Sequence, residues 1–296
     1  YASTTIIDCN TRKYHGLLVV PIPELDGDNH VLLSSCDETV IQHGAEFNLG
    51  IHKYHGDYFS PRGHKYIREF HIDSVATTIY RVGGVILQKE RILVSGENRV
   101  LVSYTLLEAH SATKLRLKPF LAFRNVNELT HENNKANRNY QEVENGISCC
   151  MYAGYPNLVM QTNKQVTFVS QPDWYRGIEY LKEQERGYAY DEDLFVPGYF
   201  ELDIKKGETI IFSAGTEPIA VRTLKRLFAA EKEKRTGRAD FFTTLKNAAQ
   251  QFYNKRADGY YLLAGYPWFK YRARDEFIAL PGATLAVGDV EMFEKM

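Results

Sequence analysis

A long succession of short segments rich in β-branched and aromatic residues runs from residue 1 to about 215. The clearest of these segments are residues 17–20, 77–80, 85–87, 100–107, 114–123, 158–161, 165–170, 199–204 and 209–214. Gly83-Gly84 and Lys206-Gly207-Glu208 separate neighbouring segments in the way that tight turns do. Many short strands joined by frequent turns predict a mainly β fold, a large antiparallel β-sandwich.

The sequence pattern changes after residue 216. Residues 221–228 and 240–252 place apolar side chains three and four positions apart, which indicates amphipathic helices. We therefore expect a sandwich domain over residues 1–215, a helical linker over residues 216–255 and the start of a further domain over residues 256–296. The Asn-rich stretch at residues 133–145 is predicted to be a loop.

The linker is locally basic. Between Arg222 and Arg238 there are seven Lys or Arg residues against two Glu. Such a stretch could bind an anion, but a solvated face on a connecting helix is the interpretation that the pattern favours.

Composition excludes several classes of protein. The formal net charge is −1 over 296 residues, so no global electrostatic field favours nucleic acid or a membrane surface as a partner. No apolar run approaches eighteen residues, and the first ten residues lack the pattern of a signal peptide. Four cysteines do not make a disulfide framework, which predicts reduced thiols and a cytoplasmic protein.

The first segment that could carry chemistry reads Asn-Thr-Arg-Lys-Tyr-His at residues 10–15. On a strand, Asn10, Arg12 and Tyr14 would share one face, with His15 on the other. This density of hydrogen-bonding groups suits a sheet edge that faces a polar ligand or another domain. The alternative is that these side chains satisfy backbone groups in a corner of the fold.

The second segment reads Ala-Gly-Tyr-Pro-Trp-Phe at residues 264–269 and is followed by Arg274 and Asp275. Aromatic rings can cover the apolar face of a pyranose, while Asp accepts and Arg donates hydrogen bonds to sugar hydroxyls. The alternative is an Arg-Asp ion pair at the start of a helix, with Trp268 in the core.

Other chemistry has little support in the sequence. His52 and His55 lack carboxylate or thiol partners at a diagnostic spacing, so no metal site is predicted. No glycine-rich phosphate loop and no nucleophile elbow occurs, and we expect no cofactor.

The chain resembles the bacterial and archaeal glycogen debranching enzymes, the amylo-alpha-1,6-glucosidases. The opening Asn-Thr-Arg-Lys-Tyr-His-Gly-Leu-Leu-Val looks like the first hallmark of that family. Further similarity lies at residues 80–85, 96–98, 119–124, 129–133, 174–176, 185–187, 192–195, 197–198 and 264–269, at the Arg-Asp pair, and at residues 277–282. Residues 129–133 include His131 and Glu132, which, with residues 10–15, are candidates for contact with glycan or another domain.

The resemblance implies an N-terminal domain of the supersandwich kind, then helices, then an (α/α)6 barrel that hydrolyses α-1,6-linked glucose in glycogen or limit dextrins. By similarity, Arg274 and Asp275 would bind hydroxyls of the non-reducing glucose, and Trp268 would line the pocket. The implied partners are the α-glucan substrate and the chain's own C-terminal catalytic barrel. The alternative is a non-catalytic β-sandwich module that binds glycan or acts as a scaffold.

Two features limit what the resemblance predicts. Family members usually carry Gly-Asp-Trp-Gly before the Arg-Asp pair, whereas residues 270–273 read Lys-Tyr-Arg-Ala, so the exact substrate stays open. An inverting glycosidase needs two carboxylates about 6.5–9.5 Å apart. We expect this acid and base beyond Met296, so that residues 1–296 alone are predicted to be inactive.

Overall fold

The structure is a computed structural model that describes residues 1–256 and 258–296. The chain forms two compact units. Unit 1 comprises Tyr1–His71 and Thr77–Ala229, and unit 2 comprises Ile72–Ala76 and Ala230–Met296. Within the described residues, no helix is both long enough and apolar enough to cross a membrane.

Sixteen strands precede residue 216. They are β1 (Leu18–Pro21), β2 (Asn29–Gln42), β3 (Ala45–Asn48), β4 (Ile51–Tyr54), β5 (Tyr58–Arg62), β6 (Ile67–Ile72), β7 (Ala76–Val82), β8 (Val85–Leu93), β9 (Arg99–Glu108), β10 (Thr113–Asn125), β11 (Tyr140–Val143), β12 (Gly146–Cys149), β13 (Leu158–Thr162), β14 (Thr167–Glu179), β15 (Asp191–Ile204) and β16 (Thr209–Gly215). The first sheet has the order β1-β2-β10-β15-β14-β4-β5, with β3 paired to β2, and the second has the order β11-β12-β13-β16-β9-β8-β7-β6.

The helices are short. They are α1 (Leu181–Gln184), α2 (Leu224–Glu233), α3 (Phe241–Gln250), α4 (Ala273–Ala283) and α5 (Val290–Lys295), with single 3₁₀ turns at Gly63–Tyr66, Val221–Thr223 and Leu285–Val287. Unit 2 adds a small sheet in which β17 (Tyr253–Arg256), β18 (Gly259–Gly265) and β19 (Phe269–Tyr271) pair in sequence order.

The first sheet is buried on both faces. Leu121 on β10 belongs to the large core that it shares with the second sheet, while its neighbours Phe120 and Ala122 belong to a separate cluster on the opposite face. Between the sheets, Phe200 and Phe212 pack with their ring centroids 5.8 Å apart. Each side chain of this size stabilises the fold by about 1.5–3 kcal/mol through burial alone.

An ionic cluster lies inside unit 1. The Lys89 ammonium is 2.6 Å from a carboxylate oxygen of Glu38 and 3.0 Å from one of Asp8. The Tyr104 hydroxyl donates to Glu38 over 2.6 Å. Since Glu38 lies on β2 and Lys89 on β8, the cluster links the two sheets. Burial raises the pKa of Glu38, whereas for Asp8 Arg91 and Lys89 outweigh burial and lower the pKa.

The predicted antiparallel sandwich is confirmed, and each predicted strand segment coincides with a strand. The two predicted helices occur as α2, which follows the turn at Val221–Thr223, and as α3, whose first turn is capped by Asp240. Strand β2 was not predicted. Its 14 residues are almost all buried and include Ser34, Asp37 and Glu38, so the apolar run at residues 31–33 is not continued by an alternation.

Two local features differ from a simple strand-and-loop pattern. Residues 10–15 form a turn and not a strand, as in the alternative given above, because the side chains of Asn10 and His15 bond to backbone groups in place of a sheet ladder. The stretch at residues 133–145 is not entirely a loop. Its end forms β11, which pairs with β12 across a hairpin where Asn145 adopts a positive φ of 51°.

Replacement of Lys89 by Met should lower the free energy of unfolding by about 3–5 kcal/mol, because two buried carboxylates would lose their common partner. Urea unfolding of the wild-type and variant proteins measures the difference. Lys206→Met, in an exposed turn between β15 and β16, is the matched control and should change stability little. A loss below about 1 kcal/mol for Lys89→Met would show that the cluster does not hold the sheets together.

Candidate functional site

The segment at residues 10–15 is fixed to the first sheet by its own side chains. The Asn10 amide donates to the backbone oxygen of Ser34 on β2 over 3.1 Å. The backbone N–H of Thr11 donates to Nδ1 of His15 over 3.2 Å, and the His15 N–H donates to the Arg12 carbonyl over 3.0 Å. Asn10 and His15 therefore stabilise the loop, in which Lys13 and Tyr14 are partly exposed and Arg12 is directed toward the buried Glu183.

A buried ion pair connects this loop to the second candidate segment of unit 1. The Arg124 guanidinium donates to both carboxylate oxygens of Glu192 and, over 2.9 Å, to the Lys13 carbonyl. Glu192 also accepts from the Tyr180 hydroxyl and from the Thr130 N–H. Burial opposes the charge on Arg124, but Glu192 outweighs it and raises the pKa of the guanidinium.

His131 and Glu132 lie on the far side of this ion pair. The Glu132 N–H donates to Asp193 over 2.9 Å, and Nδ1 of His131 is 3.9 Å from the same carboxylate. A hydrogen bond from Arg176 lowers the pKa of the exposed Glu132 carboxyl. The structure therefore brings the segments at residues 10–15 and 129–133 to one polar end of the first sheet.

The exposed rim of this end combines cations, an amide and tyrosines. The Lys13 ammonium donates to the Asn127 carbonyl over 2.9 Å, and the Tyr14 hydroxyl donates to the Asn127 side-chain oxygen over 3.3 Å. Lys13 also lies 5.6 Å from the ring centre of Tyr14 and 5.9 Å from that of Tyr188. The Arg12 guanidinium Nη1 lies 3.6 Å from the carboxylate Oε1 of the fully buried Glu183. Such a surface can bond to sugar hydroxyls or to polar groups of another domain.

Unit 2 holds the other candidate residues. Arg274 and Asp275 lie in the first turn of α4 with exposed side chains, where an acidic group is favourable for the helix dipole. The next residue, Glu276, is buried and accepts a 3.0 Å hydrogen bond from the Leu262 N–H on β18. This bond fixes the start of α4 to the small sheet.

Trp268 lies in the turn between β18 and β19. Its side chain is 45% exposed, and that of the following Phe269 is 49% exposed. The alternative that places Trp268 in the core is therefore not what the structure shows. An exposed indole can cover one face of a sugar ring.

Sequence reasoning missed the residues that position both candidate sites, namely Arg124, Tyr180, Glu192 and Glu276. Arg124 and Glu192 do carry a signal, since each is a charged residue at the edge of an apolar strand segment. Burial of such a residue implies a partner. The sequence alone did not show which acid pairs with which base.

The two candidate metal-ligating histidines have carboxylate partners. His52 is 2.9 Å from Asp37, and His55 is 2.8 Å from Glu179. In the part of the chain that the structure describes, no group of at least three His, Cys, Asp or Glu side chains is arranged to hold a metal ion.

Comparison with protein families matches residues 1–211 to the family described as "Glycogen debranching enzyme N terminal". The chain belongs to this family. Residues 246–294 match a second family, "Amylo-alpha-1,6-glucosidase", which covers α4 and most of α5. The resemblance seen in the sequence is confirmed by both matches.

Among solved structures, a bacterial glucoamylase complexed with acarbose has 10% sequence identity and a TM-score of 0.46, over 97% of this chain and 48% of that one. A polysaccharide lyase has 12% identity and a TM-score of 0.29, over 70% of this chain and 31% of that one. The chain thus spans about half the length of the glucoamylase. No curated protein matched the chain.

The stability of the protein should depend on the protonation of His15. Its Nδ1 accepts a hydrogen bond, which only the neutral ring can do, and burial together with Arg12 lowers its pKa to about 4. An unfolded histidine has a pKa of about 6.5, so the unfolded state binds more protons between these values and stability falls as the pH decreases from about 6.5 to about 4. Between pH 7.5 and pH 5 this group should contribute a loss of about 2 kcal/mol.

Urea unfolding at these two pH values, compared between wild type and His15→Gln, isolates this contribution. The variant should lose less stability on acidification than the wild type does. His110→Gln, which changes an exposed histidine, should keep the wild-type pH dependence. Equal pH dependence in wild type and His15→Gln would contradict the assignment.

Proposed function

We propose that the intact protein is a glycoside hydrolase that removes α-1,6-linked glucose branches from glycogen or limit dextrins. The observation that carries this proposal is the order of the two family matches, at residues 1–211 and 246–294, with Arg274 and Asp275 inside the second. The solvent exposure of both side chains, and of Trp268, supports a role in binding sugar.

The chemistry fits a neutral, hydroxyl-rich substrate. Asp275 would accept hydrogen bonds from adjacent hydroxyls of the terminal glucose, and Arg274 would donate to them in the fixed geometry of a guanidinium. Trp268 would cover the apolar face of the ring. Glu276 has a different role, because its carboxylate already accepts from Leu262 and holds the helix that presents the pair.

We further propose the domain organisation that the sequence predicts: a sandwich at residues 1–215, a linker at residues 216–255, and the start of an (α/α)6 barrel at residues 256–296. Exposed apolar side chains in unit 2 support this, since Phe241 is 79%, Phe277 74% and Ile278 72% exposed. Helices with such faces normally pack against other helices. The partner that fits is the chain's own catalytic barrel.

The unusual stretch at residues 270–273 would shape substrate preference. Tyr271 stacks on Tyr261 with ring centroids 4.7 Å apart, and the Arg272 guanidinium lies 4.3 Å from the centre of the Phe269 ring. These contacts hold bulky side chains next to Trp268. We expect them to narrow the approach to the sugar site.

A cytoplasmic location is part of the proposal. The four cysteines Cys9, Cys36, Cys149 and Cys150 are free thiols, and burial raises the pKa of each. Unreactive thiols of this kind are typical of proteins that fold in a reducing compartment.

A second candidate function is favoured by the polar end of unit 1, where Lys13, Tyr14 and Tyr188 are at least partly accessible to solvent. This end could bind glycan directly or act as a scaffold for the barrel. The scaffold role fits better, because Lys13 and Tyr14 already bond to Asn127 and Arg12 already pairs with Glu183.

Asp275→Ala in the intact protein should reduce kcat/KM for glucose release from phosphorylase limit dextrin by about 10- to 100-fold. This is the effect of losing hydrogen bonds to a charged acceptor. The control is Glu291→Ala, which removes an exposed carboxylate from α5 and should leave the rate unchanged. Unchanged glucose release in Asp275→Ala would remove this residue from the proposed sugar site.

Tyr14→Ala combined with Tyr188→Ala should leave the retardation of the protein in glycogen-containing native gels unchanged, as expected of a scaffold surface. Asp275→Ala, run in the same gels, reports the contribution of the proposed sugar site. Loss of retardation in the tyrosine double variant alone would show instead that unit 1 binds glycan at this end.

A further inference from the structure

An open cavity of about 400 Å³ lies where unit 1 leads into α2, and Arg222, Thr223 and Arg226 line it. Its volume is at the lower end of the range of small-molecule sites, about 300–1,000 Å³. The sugar-binding residues proposed above do not line this cavity, and it is therefore a separate feature.

The charge at this cavity is uncompensated. Arg222 and Arg226 are four residues apart, a spacing that puts side chains on the same face of a helix. Both side chains are exposed, and within residues 1–256 and 258–296 no carboxylate forms an ion pair with either guanidinium. Elsewhere in unit 1, by contrast, Arg116 pairs with Glu201 and Arg124 with Glu192.

Other nearby charges do not offset this pair. Lys225 adds a third cation between the two arginines in the sequence. Its electrostatic neighbour Glu208 is already held by the Lys164 ammonium at 2.9 Å. The lining of the cavity therefore keeps a local positive potential, which attracts an anion.

The backbone that carries these arginines is held rigidly. The Gln161 side chain accepts from the Ile219 N–H over 2.9 Å and donates to its carbonyl over 3.2 Å. Val221 and Leu224, which flank the lining residues, are 5% and 0% exposed. The Thr223 hydroxyl donates to the Ala220 carbonyl over 2.7 Å and closes the turn. The backbone therefore needs no rearrangement for binding, and the entropic cost is confined to ordering the two arginine side chains.

We propose that this cavity binds a phosphate monoester of about hexose size. Planar guanidinium groups donate paired hydrogen bonds that match the oxygens of a phosphate, and two of them on one face can hold a dianion. A neutral glucan does not need two adjacent cations with no counter-charge. A cavity of about 400 Å³ also fits a small ligand better than an extended polyanion.

The recognised group is the phosphate, which could belong to a free hexose phosphate or to a phosphoryl group on a glucan chain. Isothermal titration calorimetry of the intact protein with inorganic phosphate, glucose 6-phosphate, a phosphorylated maltooligosaccharide and unphosphorylated maltose separates these sources. We expect inorganic phosphate, glucose 6-phosphate and the phosphorylated maltooligosaccharide all to bind. If the site takes a free hexose phosphate, glucose 6-phosphate should bind more tightly than the oligosaccharide. If it takes a phosphoryl group on a glucan chain, the oligosaccharide should bind more tightly.

Arg222→Gln and Arg226→Gln should each weaken the binding of glucose 6-phosphate by about tenfold or more, because each removes charge-assisted hydrogen bonds. Arg222→Lys should keep part of the affinity, since charge remains while the planar fork is lost. Lys206→Gln removes an exposed cation from a turn between two strands and should bind as wild type does.

Three results would overturn the proposal. They are the absence of binding of any phosphate-containing ligand at concentrations up to about 10 mM, wild-type affinity in both Gln variants, and binding of maltose as tight as that of glucose 6-phosphate. Thermal unfolding of each variant confirms that the exposed substitutions have left the fold intact, so that weaker binding reports on the cavity.

Discussion

The ion pair of Arg124 and Glu192 is the interaction on which the polar end of unit 1 depends. Both side chains are almost completely buried, on adjacent strands β10 and β15 of the first sheet. Two charges removed from water persist only when hydrogen bonds satisfy their remaining donors and acceptors. Here those bonds come from Tyr180 and from the backbone at Lys13 and Thr130. The hydrogen bonds that this buried ion pair needs therefore fix two loops, at Lys13 and at Thr130, that are far apart in the sequence.

The same principle operates between the sheets. Glu38, Lys89 and Tyr104 form a buried polar contact that joins strands of both sheets. Such a contact selects one alignment of the two sheets, because a shift of either would leave a buried charge without its partner. The apolar core provides most of the stability, and the ionic contacts determine how the two sheets are aligned.

Sequence patterns predicted the sandwich and the two helices that follow it, because each depends on local periodicity in the chain. Sequence patterns failed where a local structure depends on a contact with a residue that is far away in the sequence. In strand β2 the short apolar run at residues 31–33 is followed by buried acids whose partners lie on other strands, so the alternation typical of a strand is absent. The turn at residues 10–15 depends on Ser34 and Arg124, which a local pattern does not reveal. Positioning groups such as Glu192 and Glu276 were missed for the same reason.

The hydrogen bond from Leu262 to Glu276 has a consequence for how variants near the Arg-Asp pair should be interpreted. Asp275 and Glu276 are adjacent acids, yet one faces solvent and the other is buried. A screen that scored only loss of function would group them together. A substitution at position 276 would also detach α4 from its sheet, so the two neighbouring acids need separate tests of folding.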